Sequence, residues 1–300
     1  MATTQQAKAP QARVKSTSKI GLKDAIWVIV ICACVAFLNF FLNLGAGLVQ
    51  ESGNFQGALE NVPDSKMLFG LLWDHSGQAP ANIWGTIYKG GIIVPVIHTL
   101  LLTVLALAVE RVIALSQCIG KEKLATFLAK IKKDLKSLDF DKALADCKKQ
   151  GGSVANVVYA TVQAYQEADA AVGVKKEVKV ARIQAAHEEA IAVEMPTLTM
   201  NLPIIATIVT LGTLTGLLGT VVGMIKSFQA LANGGGGDSV ELSAGISEAL
   251  INTAFGIGTS WLAVVSYNFF TNRIDKIAFA LDEIGYSIAQ TYAATHADEA

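Results

Sequence analysis

The run "NLPIIATIVTLGTLTGLLGTVVGMIKSFQALA", Asn201 to Ala232, is nearly free of charge and, as a helix, long enough to cross the roughly 30 Å hydrocarbon core of a bilayer. Pro203 stands in its first turn, where a missing amide costs little. Gly212, Gly216, Gly219 and Gly223 recur at spacings of four, three and four, which places them on one helix face. In such apolar surroundings this is the close-packing stripe of a membrane helix rather than a phosphate-binding loop. The same run carries Thr207, Thr210, Thr213, Thr215 and Thr220. Hydroxyls bond back to their own helix and are tolerated in lipid, so their number alone does not mark function.

The rest of the chain has the same character. At 300 residues, 52% hydrophobic and 16% charged, it is too apolar for an ordinary soluble domain of this size. Three further apolar runs stand out: Ala25 to Val49, Gly91 to Val109, and Ile246 to Phe270. The expected fold is an all-α membrane protein with four predicted transmembrane helices and long cytoplasmic helical extensions. Its expected parts are a basic tail at 1–23, an additional transmembrane helix at 24–50, an extracytoplasmic loop at 51–90 and a second helix at 91–115. A cytoplasmic helical region at 116–200, a third span at 201–232, a turn at 233–244, a fourth span at 245–271 and a cytoplasmic tail at 272–300 complete the series.

Five basic residues precede the first run, many lie between the second and third, and Arg273 and Lys276 follow the fourth. Each places its side in the cytoplasm by the positive-inside rule. The first run also reads as a signal peptide, with "LGAG" at Leu44 to Gly47 as a small-residue stretch, although its basic region is long for one. Asn39 and Asn43, four apart, are expected to face protein rather than lipid.

Between Lys121 and Arg182 lie thirteen of the twenty-four Lys and Arg residues. Leu124, Phe127, Leu128, Ile131, Leu135 and Leu138 recur there at helical spacing, with a second helix from about Phe140 and a break at Gly151 and Gly152. The lysines form either a solvated helix face or a contact for anionic lipid. No basic patch with interleaved aromatics, as a nucleic-acid surface would require, appears there. Cys32, Cys34, Cys118 and Cys147 show no metal or disulfide spacing, and His75, His98, His187 and His296 are scattered. No nucleophile, base and donor converge, so neither an enzyme nor a cofactor or metal site is expected.

The fourth run raises the chemical question. "AGISEALINTAFGIG", Ala244 to Gly258, places Glu248 at the head of an uncharged stretch, and an ionised side chain in a bilayer costs several kcal/mol unless paired or functional. Glu248, Asn252, Gly256 and Thr259 fall within a narrow arc of one helix face, while Thr253 is turned aside. A short Gly-rich turn makes the third and fourth spans antiparallel neighbours. Together they line a polar strip. Glu248 is then either an acid inside that strip or a charge at the outer interface.

"LLGTVVGMIKSF" at 217–228, "GISEALINTAFG" at 245–256 and "YNFFTNRID" at 267–275 closely resemble the proton-channel subunits of the ExbB/TolQ/MotA family, nearest to ExbB. "YKGGIIVPVIHTLLLTVLALAVERVIAL", Tyr88 to Leu115, resembles that family's first core helix. The resemblance implies a homo-pentamer around a pore that holds the single helices of an ExbD-like or TolR-like partner, whose transmembrane Asp carries the proton. By motif it makes Thr220, Glu248 and Thr253 ion-pathway residues, beside Asn252 and Thr259 from the face reading. It further implies a multi-pass subunit of the bacterial inner membrane, coupling proton motive force to work on a TonB-like protein for outer-membrane uptake. TolQ-like envelope maintenance, a gliding-motility motor and a non-conducting scaffold are the alternatives. Where ExbB proteins commonly carry Pro before "GI", this chain has Ala244, which leaves the helix start less sharply fixed.

Overall fold

The computed structural model describes residues 22–40, 67–68, 72–73, 83–88, 90–233 and 239–296. The expectations for the basic tail, for Asn43, for nearly all of the 51–90 loop and for the glycines at 234–237 lie outside the described residues. In chain order the elements are α1 (Leu22–Leu38), β1 (Met67–Leu68), β2 (Leu72–Trp73), α2 (Ile83–Tyr88), α3 (Ile93–Ile119), α4 (Leu124–Lys136), α5 (Phe140–Gln150), α6 (Gly152–Ala170), α7 (Lys176–Thr199), α8 (Leu202–Asn233) and α9 (Ser239–Thr295). The strands form one small antiparallel pair with Met67 opposite Trp73; among the described residues everything else of regular structure is helical. The described chain divides into two compact units, one built from residues within 20–110 and 201–270, the other from residues within 111–200 and 271–300.

The first unit is the membrane unit. α3, α8 and α9 each carry an apolar stretch long enough to cross a bilayer, whereas α1 is apolar but shorter. Its 17 residues span about 26 Å at ~1.5 Å per residue, less than a hydrocarbon core of about 30 Å. Three of the four expected spans are thus clear, and the described part of the other is a shorter apolar helix, the rest of its run at 41–49 lying outside the described residues. Ala25, Cys32, Ala36 and Phe40 form the buried stripe of the α1 segment, while Ile26, Trp27, Ile31 and Leu38 are exposed. That stripe determines which way the segment faces, and Asn39, expected to face protein, lies on the exposed side. Phe40 stacks on Tyr88 with ring centroids 4.9 Å apart and packs with Ile87 and Val94.

The second unit packs α4 to α7 with the end of α9. α4 buries Phe127, Leu128, Ile131 and Leu135, the face its spacing marks out. Leu138 does not join them: α4 ends at Lys136, and Leu138, at φ 55° and half exposed, turns the chain into α5. Asp139 caps α5, its carboxylate accepting from the Lys142 amide at 3.2 Å. The α3–α4 corner depends on Gly120 at φ +92°, where a side chain would strike the Gly151 and Gln150 carbonyls. Gln150 ties that corner, its Nε2 donating to the Ile119 and Glu122 carbonyls and its Oε1 accepting from the Glu122 amide. Asn201, at φ 64°, separates α7 from α8.

Two side chains of this unit merit chemical scrutiny. Burial pushes the Cys147 thiol up to about 12, so it is a packing residue, inert as a nucleophile. His187, buried, has Nδ1 2.8 Å from Thr161 Oγ1, and its ring lies against Gly285 of α9, where any side chain would collide with it. Burial holds His187 below its ordinary value, against the opposing pull of Asp282, Glu188 and the Leu281 carbonyl.

An imidazole depressed in the folded state binds its proton more readily when unfolded. Stability is therefore full above the ordinary histidine value, about 6.5, and falls as pH drops below it. Thermal melts of the full chain from neutral to acid pH are expected to show that decline, and His187→Gln is expected to flatten it in that range. Identical slopes for both chains would exclude His187 as its source.

Candidate functional site

α8 and α9 meet along the glycine stripe. A β-carbon on Gly212 would lie 2.6 Å from Ser260 Oγ, one on Gly216 3.1 Å from the Gly256 Cα, and one on Gly223 2.8 Å from the Gly245 carbonyl oxygen. The Gly219 position leaves no room beside the Asn252 side chain. Each turn of α8 thus faces small or polar residues of α9, and the two backbones come close enough for side chains to bond across them. Thr213 Oγ1 donates to Ser260 Oγ at 2.9 Å, and Ser227 Oγ reaches the Leu242 carbonyl at 3.2 Å.

The turn between the two helices is shorter than expected. α8 continues to Asn233 and α9 already begins at Ser239, rather than near Gly245. Ala244, standing where relatives in the resemblance carry Pro, keeps its backbone amide and lets the helix run through that position.

The structure places Glu248, Asn252 and Thr259 on the buried face of α9, at 8%, 0% and 1% exposure. Glu248 is not alone: its Oε1 lies 2.6 Å from Lys226 Nζ of α8. Asn252 Nδ2 donates to the Gly90 carbonyl at 2.9 Å, tying α9 to the turn before α3. Thr259 Oγ1 and Asn252 Oδ1 have no hydrogen-bond partner among the described residues. In so buried a place unpaired acceptors favour water or a mobile proton donor.

The two threonines that the resemblance selects sit elsewhere. Thr253 Oγ1 lies in the α8–α9 seam, 3.2 Å from the Ala249 carbonyl and 3.4 Å from that of Gly216. Thr220 is on an exposed side of α8, its hydroxyl donating to the Leu217 carbonyl at 2.6 Å. The five candidate residues therefore fall in three places within one chain, with Glu248, Asn252 and Thr259 inward, Thr253 at the seam and Thr220 outward.

Sequence reasoning missed Lys226, Ser260 and the Gly90–Gly91 turn. Lys226 had a visible signal, as the one charged residue between Asn201 and Ala232. Ser260 and the turn had none, since only packing brings them to the strip. His98 touches the same region through an edge contact with Phe255, ring centroids 5.6 Å apart.

Residues 152–283 match the model of the MotA/TolQ/ExbB proton channel family. The Tol-Pal system protein TolQ of Pseudomonas aeruginosa is 34% identical over 35% of this chain and 46% of its own length. The biopolymer transport protein ExbB of Salmonella typhimurium is 33% identical over 28% of this chain and 34% of its own. ExbB of Helicobacter pylori is 33% identical over 27% of this chain and 56% of its own. The chain thus spans from about a third to just over half the length of these curated relatives. With the three apolar helices, the matches make it a multi-pass protein of the bacterial inner membrane. The family whose model matches is one of channel proteins.

Proposed function

We propose that this chain, whose residues 152–283 match the MotA/TolQ/ExbB proton channel family, is a wall subunit of an inner-membrane motor that couples proton motive force to work on a TonB-type protein. The observation that carries the reading is the buried polar strip of Glu248, Asn252 and Thr259 in an otherwise apolar helix pair closed by glycines. A membrane scaffold has no need of unpaired buried acceptors, whereas a proton route does. In this reading five copies surround a pore, and a single-span ExbD-like partner supplies the proton-carrying Asp. Thr220 and Thr253 order polar contacts beside it, Asn252 and Thr259 extend the polar route, and Glu248 sets the local field. The segments at 116–200 and 272–300 face the cytoplasm. The extent of the TolQ match favours one second reading, a motor for envelope maintenance, built the same way but with a different energised partner.

Proton flux into vesicles holding the full chain with its co-purified small subunit tests the reading. Thr253→Val removes a hydroxyl while keeping shape, and flux is expected to fall about five- to tenfold, the equivalent of one hydrogen bond of ~1–1.5 kcal/mol in the barrier. Thr253→Ser is expected to retain most of it. Undiminished flux in the valine variant would remove Thr253 from the route, and wild-type flux no greater than that of empty vesicles would favour the scaffold. The uptake and maintenance readings separate on whether a TonB-like protein or an envelope lipoprotein co-purifies.

A further inference from the structure

The Lys226–Glu248 pair does more than join two helices. Gly91, at φ +73°, stands so close to it that a β-carbon there would lie 2.5 Å from Glu248 Oε1 and 3.7 Å from Lys226 Nζ. One residue earlier, the Gly90 carbonyl accepts from Asn252, one turn along α9 from Glu248. The carboxylate is therefore seated where α8, α9 and the turn before α3 meet. Its side chain is 10% exposed while that of Lys226 is 50% exposed. Among the described residues Lys226 is the charged group paired with it; Gly91 and Asn252, which approach from the turn and from α9, are uncharged.

We propose that Lys226 is a positioning residue for proton passage: its ammonium commits the Glu248 carboxylate to an internal ion pair seated on the Gly90–Gly91 turn, so that Glu248 anchors the turn end of the α8–α9 hairpin and relays no proton. The inference rests on the channel reading above for its functional meaning, but the pair itself can be tested without any flux measurement. A buried carboxylate deprived of its paired cation is strongly disfavoured. With an apolar residue at 226 the acid takes up a proton and becomes a hydrogen-bond donor, a different chemical species with its own carbonyl vibration.

Infrared difference spectra, recorded between neutral and acid pH on the full chain in lipid, read that species directly. The wild type and Lys226→Arg are expected to show no protonated-carboxyl signal assignable to Glu248. Lys226→Met is expected to show one, lost again in Lys226→Met/Glu248→Gln. A signal present in the wild type and removed by Glu248→Gln alone would overturn the proposal, as would a folded Lys226→Met chain without one. If Lys226→Met does not fold, the exchanged pair Lys226→Glu/Glu248→Lys decides. Recovery of the wild-type melting temperature and of its silent spectrum supports the anchor, and failure to recover either overturns it. A proton-flux failure with these spectra as expected would count against the channel reading and leave the pair standing.

Discussion

Gly256→Leu is expected to prevent α8 and α9 from packing, with loss of the folded chain from detergent extracts. A β-carbon at Gly256 would come within 2.7 Å of both the Gly212 carbonyl oxygen and the Gly216 Cα. These are backbone atoms of a rigid helix, with no flexible side chain to yield. Overpacking a core typically costs about 1–3 kcal/mol when neighbours can shift; here the helices themselves must separate, and the seam bonds of Thr213 with Ser260 and of Thr253 with the Gly216 carbonyl go with them. Gly258→Leu is the matched control, since nothing lies within 4 Å of a β-carbon there. Extraction yield and thermal stability should separate the two variants sharply. Equal behaviour would mean that the glycine seam does not hold the hairpin together.

Tyr292→Ala is expected to destabilise the second unit by about 3–5 kcal/mol, the usual cost of removing a large buried aromatic side chain. Tyr292 is fully buried; it meets Tyr165 edge to face at 4.8 Å and stacks on His296 at 4.2 Å. Its hydroxyl donates to the Ala168 carbonyl at 3.4 Å. The loss falls on α6 and the end of α9, so hydrogen exchange should accelerate at 152–170 while α8 retains its protection. Tyr292→Phe, which keeps the ring, should recover most of the protection. Unchanged exchange in the alanine variant would mean that this aromatic cluster does not set the unit's stability.

The pattern of apolar runs made α3, α8 and the membrane part of α9 legible before any coordinates, because length and hydropathy are what a bilayer selects. α1 was legible as an apolar helix, and residues 41–49 of its run lie outside the described residues. Periodicity found the buried face of α4 but overran it at Leu138, because a left-handed turn residue there need not be glycine. The start of α9 was misplaced for a related reason. Without a proline at Ala244 no local signal fixed where the helix begins.

The sites divide along the same line. That Glu248, Asn252 and Thr259 share a face follows from 3.6 residues per turn, and that Gly212, Gly216, Gly219 and Gly223 share one follows likewise. Periodicity is a local property and is written in the chain itself. Which neighbours those faces meet is not local. Lys226 closing on Glu248, Gly90 accepting from Asn252 and Gly91 leaving room for the acid depend on how close α8, α9 and the turn before α3 approach, and only tertiary packing determines that distance. The chain by itself determined that a carboxylate stands at the head of an apolar helix; the tertiary structure decided that it stands there paired, because a charge withdrawn from water requires its partner within hydrogen-bond reach.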